Sequence, residues 1–157
     1  MPKLNYIKQN IFMVLSILTI GFPFVGYKVF GGIIVSHMYD GALIANVAAI
    51  VFIVWGLIDL ALNAAGLYTV CCLGEVRYPI CVLSWLSRKN RVLCRWNDFG
   101  EAVDTLLSFS IVALVVGKNL FVFLDGAQIK LWNICTVVNV LGAGVARLGA
   151  SLSLGIS

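Results

Sequence analysis

Asp59 and Arg147 each sit inside a strongly apolar stretch, and Asp104 lies near the start of a third. A charged side chain in hydrocarbon costs roughly 2.5–3.5 kcal/mol even on lenient insertion scales, so it normally faces a partner or a cavity. Two kinds of chemistry follow. A carboxylate in a wet cavity can pass protons or ions across a membrane. One closed against a cation or an amide ties helices together. A water-lined opening at Asp59 would favour the first reading, a dry pairing the second.

Other reactive side chains point less clearly. Five cysteines, Cys71, Cys72, Cys81, Cys94 and Cys135, could offer thiolates to a soft metal. Their spacing lacks the CxxC pairs of zinc sites, and adjacent cysteines on a helix point about 100° apart. The one histidine, His37, is expected on the opposite side of the membrane. The odd count argues against a disulfide framework, so we read the cysteines as small apolar residues. Gly142 and Gly144 resemble a dinucleotide fingerprint only by their glycines, and no strand precedes them. No HExxH motif, nucleophile elbow or Ser–His–Asp set is visible. Glu101 and Asp104 read as acids at a helix N-terminus, where negative charge is favoured. We expect no catalytic group, no cofactor and no bound metal; the chain is not read as an enzyme.

The elements that position these residues follow from composition. The chain has 157 residues, 61% of them hydrophobic and 11% charged, with a net charge of +4. Its mean hydropathy is +1.01. Such a balance places most of the chain in lipid, and a charge this small gives no case for nucleic acid. We expect one all-α integral membrane domain over 1–157, a polytopic bundle of four transmembrane helices. The spans run approximately over 11–27 (with an apolar tail towards Val35), 42–70, 102–124 and 131–154. Each can supply the roughly 20 residues needed to cross a hydrocarbon core of about 30 Å. The N-terminal run, which contains Pro23, reads as a retained span rather than a cleaved signal. The central loop, 74–101, holds a short interfacial segment, Tyr78 to Leu86. Its tryptophan, Trp85, and the nearby Trp96 are expected at headgroup level.

Lys3, Lys8, Arg77, Arg88, Lys89, Arg91, Arg95 and Arg147 are eight of the eleven basic residues. Placed together they put both termini and the central loop on the cytoplasmic side, with Lys28, Lys118 and Lys130 outside. We expect a bacterial inner membrane; the equivalent placement in an organelle puts these residues in the matrix or stroma. Arg77, Arg88, Lys89, Arg91 and Arg95 could meet anionic headgroups or an acidic partner as well as setting topology.

Two spans carry a readable face. Ala45, Ala49, Gly56, Asp59, Asn63 and Gly66 recur at helical steps along the second, where small residues admit a neighbouring backbone and Asp59 and Asn63 add polar glue. Thr136, Asn139 and Ala143 share one face of the fourth. Counted from the outer ends, Asp59 lies about 17 residues, or ~25 Å, along its span and Arg147 about 16 residues along its own. Asp104 starts from the inner side, so three charges from three spans share the inner third. We expect an intramembrane network of Asp59, Asn63, Asp104 and Arg147, in which a pair such as Asp59 with Arg147 would lower the cost of both charges; the alternative is that Arg147 and Asp104 snorkel to the headgroups. Phe121, Phe123 and Trp132 are expected near span edges.

The reading that follows is a structural or accessory subunit of a larger membrane complex, whose partners are lipids and other membrane subunits in a homo- or hetero-oligomer. The alternative is a small oligomeric transporter or channel that uses Asp59 for ions or protons.

Overall fold

The computed structural model describes residues 10–11, 13–39, 41–75, 78–89 and 99–154, with 88–89 and 146–154 as backbone alone. Every regular element among them is helical. We number the helices α1 (Met13–Met38), α2 (Leu43–Leu73), α3 (Val82–Lys89), α4 (Phe99–Gly117) and α5 (Gly126–Leu154). Among the described residues, α1, α2 and α4 are long and apolar enough to cross a membrane.

Local chemistry sets the boundaries. In α1, Pro23 offers no N–H to the preceding turn, and residues Ile17–Gly21 widen into a π-helical turn just before it. The helix does not stop at Tyr27, as the sequence suggests, but continues through Lys28 to Met38. Lys28 can stay inside because it finds carboxylates there. α4 ends at Gly117, earlier than expected, because Asn119 takes a left-handed φ of 52° and Leu120–Phe123 form a 3₁₀ turn. α5 begins at Gly126 rather than Leu131. Asp125 and Gln128 form a reciprocal cap there: Gln128 N–H donates to Asp125 Oδ1 at 2.8 Å, and Asp125 N–H donates to Gln128 Oε1 at 3.0 Å.

The long helices alternate in direction. His37 Nδ1 lies 3.2 Å from the Phe123 carbonyl at one end, and Asn10 Nδ2 donates to the Gly74 carbonyl at 3.2 Å at the other. α1 is the hub and touches α2, α4 and α5. Against α2 the backbones nearly meet. A Cβ on Gly32 would lie 2.8 Å from the Ala49 carbonyl oxygen, and one on Gly56 3.3 Å from that of Val25. Against α4 and α5 the contact is aromatic. Phe24, Tyr27, Phe30 and Ile34 pack with Val115, Leu124 and Trp132. The Tyr27 and Trp132 rings sit 5.0 Å apart, and Phe121 meets Trp132 edge-on at 5.8 Å. Trp132 is a core residue that fills the gap between α1 and the turn at Phe121.

The segment before α3 packs along α2 and reaches the ion pair. Tyr78 lies beside Gly66, the Ile80 carbonyl accepts from Asn63 at 3.0 Å, and the Val82 N–H reaches Asp59 at 2.7 Å. Groups on α2 thus satisfy the non-helical backbone of this segment.

Candidate functional site

Lys28 is fully buried, with 0% of its surface exposed, between Asp59 at 1% and Asp104 at 3%. Its Nζ donates to Asp59 Oδ2 at 2.5 Å and to Asp104 Oδ1 at 2.6 Å. The Nζ also lies 4.7 Å from the centre of the Trp55 ring, whose face attracts a cation. One side chain from each of α1, α2 and α4 meets at this point. Burying three charges is expensive, and only close pairing with good hydrogen bonds offsets the lost hydration.

Asp59 is held from a second direction. Its Oδ2 faces Lys28, while Oδ1 accepts the Val82 N–H, the first amide of α3. A helix start presents unpaired N–H groups and the positive end of its dipole, so α3 aims a donor into the ion cluster. One turn along α2, Asn63 Nδ2 donates to the Asp59 carbonyl at 2.8 Å and to Ile80 at 3.0 Å. Asn63 therefore pins the returning segment to α2.

Cys81 closes this corner. Its Sγ accepts the Ser84 N–H at 3.4 Å, in the manner of a cap for the start of α3. The thiol also reaches towards the Gly100 carbonyl, at 4.0 Å. Burial chiefly, with the negative field of Asp104 adding to it, pushes the Cys81 thiol up to about 12. It stays protonated as an inert cap. Gly100 has no room for a side chain, because a Cβ there would run into the Leu83 backbone.

Lys28, which the sequence places on the outer side, is the cation that meets Asp59 among the described residues. The Arg147 side chain lies outside the described residues. The sequence places Lys28 outside because the first span reads as ending near Tyr27, eleven residues before the helix ends at Met38. The apolar tail towards Val35 is the signal that continues the helix beyond Lys28. Two acids at similar depth also called for a cation from a third span. Asp104 faces Lys28, while Glu101, in the first turn of α4, is exposed.

The buried residues of α2 are Ala45, Ala49, Gly56, Asp59, Asn63 and Gly66. On α5, Asn139 is buried and Thr136 half-buried, with the Tyr27 hydroxyl 3.4 Å from the Thr136 hydroxyl. Ala143, on the same face one turn further, is exposed, and the neighbouring Gly142 lies against Thr19. Arg77, Arg91, Arg95, Trp96 and Cys94 lie outside the described residues, as do the side chains of Arg88 and Lys89. Cys71 and Cys72 are exposed. Among the described residues no group of three or more His, Cys, Asp or Glu is placed to hold a metal. A shallow groove runs beside the cluster, lined by Ile50, Val54, Trp55, Ile58, Val82 and Leu83.

No family model, curated protein or solved structure matches this chain.

Proposed function

We propose that this chain is a structural or accessory subunit of a larger integral membrane complex. The observation that carries the reading is the closure of the Lys28–Asp59–Asp104 cluster, with no member more than 3% exposed. Charges satisfied by one another and by the α3 amide act as a clamp on three helices. The outer surfaces add support. Only 22% of the most apolar window of α2, and 22% of that of α4, is buried within the chain. Ile44, Val47, Val51, Leu106 and Leu114 stand exposed along them. Lipid tails and helices of neighbouring subunits are the natural cover for such faces.

In this reading α5 is the fourth span. Moving Lys28 into the bundle sharpens the charge asymmetry, since Lys118 and Lys130 alone remain for the outer side. Both termini then face the cytoplasm of a bacterial inner membrane. The test is gentle detergent extraction followed by native mass spectrometry. A stoichiometric second subunit supports the proposal. A homo-oligomer that conducts ions in liposomes, and loses conduction with Asp59→Asn, would replace it with a transporter.

A further inference from the structure

α3 turns its polar side inward. Ser84 and Ser87 are buried where the helix packs on α4, while Trp85 and Leu86 are exposed. In water such a helix would be inside out. Against hydrocarbon, an outward apolar side is the favourable arrangement. Val82, Leu86 and Lys89 stand at i, i+4 and i+7, so they share one face of α3. That face starts apolar and ends on a basic residue.

Its apolar start opens into the groove on α2. Ile50, Val54 and Ile58 repeat there every four residues, with Trp55 beside them, and Val82 and Leu83 form the other wall. The stripe runs about 12 Å along the helix axis, from eight residues at 1.5 Å each. The groove holds about 460 Å³, within the roughly 300–1,000 Å³ of small-molecule sites. At its other end α3 closes on Arg88 and Lys89, and the chain continues to Arg91 and Arg95 with no acid between 88 and 95. Such basic clusters on an amphipathic helix suit anionic headgroups.

We propose that the groove and the outward side of α3 form a binding site for an anionic phospholipid, with an acyl chain along the α2 stripe and the phosphate at the basic end of α3. An apolar stripe that gives way to positive charge matches a molecule with a hydrocarbon tail and an anionic head. An apolar helix of a neighbouring subunit would match the stripe alone. The inference rests on the membrane placement proposed above, not on the subunit role.

Native mass spectrometry of the full chain, titrated in detergent with phosphatidylglycerol or with phosphatidylcholine of the same chains, measures the head preference. The wild type should bind phosphatidylglycerol at least about tenfold more tightly. Arg88→Gln with Lys89→Gln should lower that preference several-fold. Equal affinity in the wild type, or a preference that the double change leaves intact, would overturn the proposal. In nanodiscs, phosphatidylglycerol with a diazirine in its acyl chain locates the tail. Its label should fall on residues 50–58 or 82–86, and Val54→Trp, which fills the groove, should lose most of it. Label confined to other helices would overturn the site, and so would cross-links from a neighbouring subunit at 50–58 in place of the lipid. The wild-type titrations and the label map need no variant to fold. Release of the chain from membranes by alkaline carbonate would overturn the membrane placement and the site together, whereas the lipid measurements test the site alone.

Discussion

Lys28 illustrates how a costly residue becomes a useful one. An ammonium in a dry bundle is tolerable only where acceptors wait for it, and Asp59 and Asp104 arrive from two other helices. The acids were legible in the sequence because each interrupts an apolar run. The lysine was not, because local pattern cannot distinguish a basic residue that ends a span from one in its middle. Only the pairing across helices decides that. Cys81 shows the same dependence on context. Its thiol keeps its proton in the folded chain, so its contribution to stability is present below the ordinary thiol value of about 8.5. That contribution is lost as the pH climbs towards about 12. A thiolate-selective alkylating reagent near pH 8.5 should therefore label a chain keeping only Cys72 at least about a hundredfold faster than one keeping only Cys81. Comparable rates would mean that the corner holding Cys81 is open.

Among the elements, α2 was the most readable. Small residues at three-, four- and seven-residue steps can form a close backbone contact whatever the rest of the fold does. Gly56 lies within reach of the Val25 carbonyl, and Ala49 of Gly32. Enlarging either should cost about 1–3 kcal/mol through overpacking. In thermal unfolding, Gly56→Leu and Ala49→Leu should each lower the midpoint clearly. Leu57→Ala should barely move it, because Leu57 is half exposed. Equal shifts would place this face against lipid instead. The returning segment ahead of α3 was not readable as such. It is too short to span and carries Pro79, which suits an interfacial piece equally well. Its position is set by donors and acceptors on α2, Asp59 and Asn63, that no local window contains. The start of α5 could have been read from Asp125 and Gln128, but the apolar run that marks the span begins later.

At the scale of the molecule, α1 is the axis on which the other long helices are mounted. Small residues join it to α2, aromatic packing joins it to α5, and the ion cluster links it to both α2 and α4. The outer faces of α2 and α4 remain apolar, and in the proposed subunit lipids and neighbouring helices would cover them. The central claim is that Lys28 and its two acids act as one unit. The direct measurement is the unfolding free energy of four proteins: the wild type, Lys28→Met, the pair Asp59→Asn with Asp104→Asn, and all three changes together. Lys28→Met alone should lose about 3–5 kcal/mol, because it strands buried carboxylates without their cation. Adding the two Asn substitutions should restore a large part of that loss, since no charge then remains to be desolvated. A triple variant whose loss equals the sum of the other two would show that these residues do not act together, and would contradict the account.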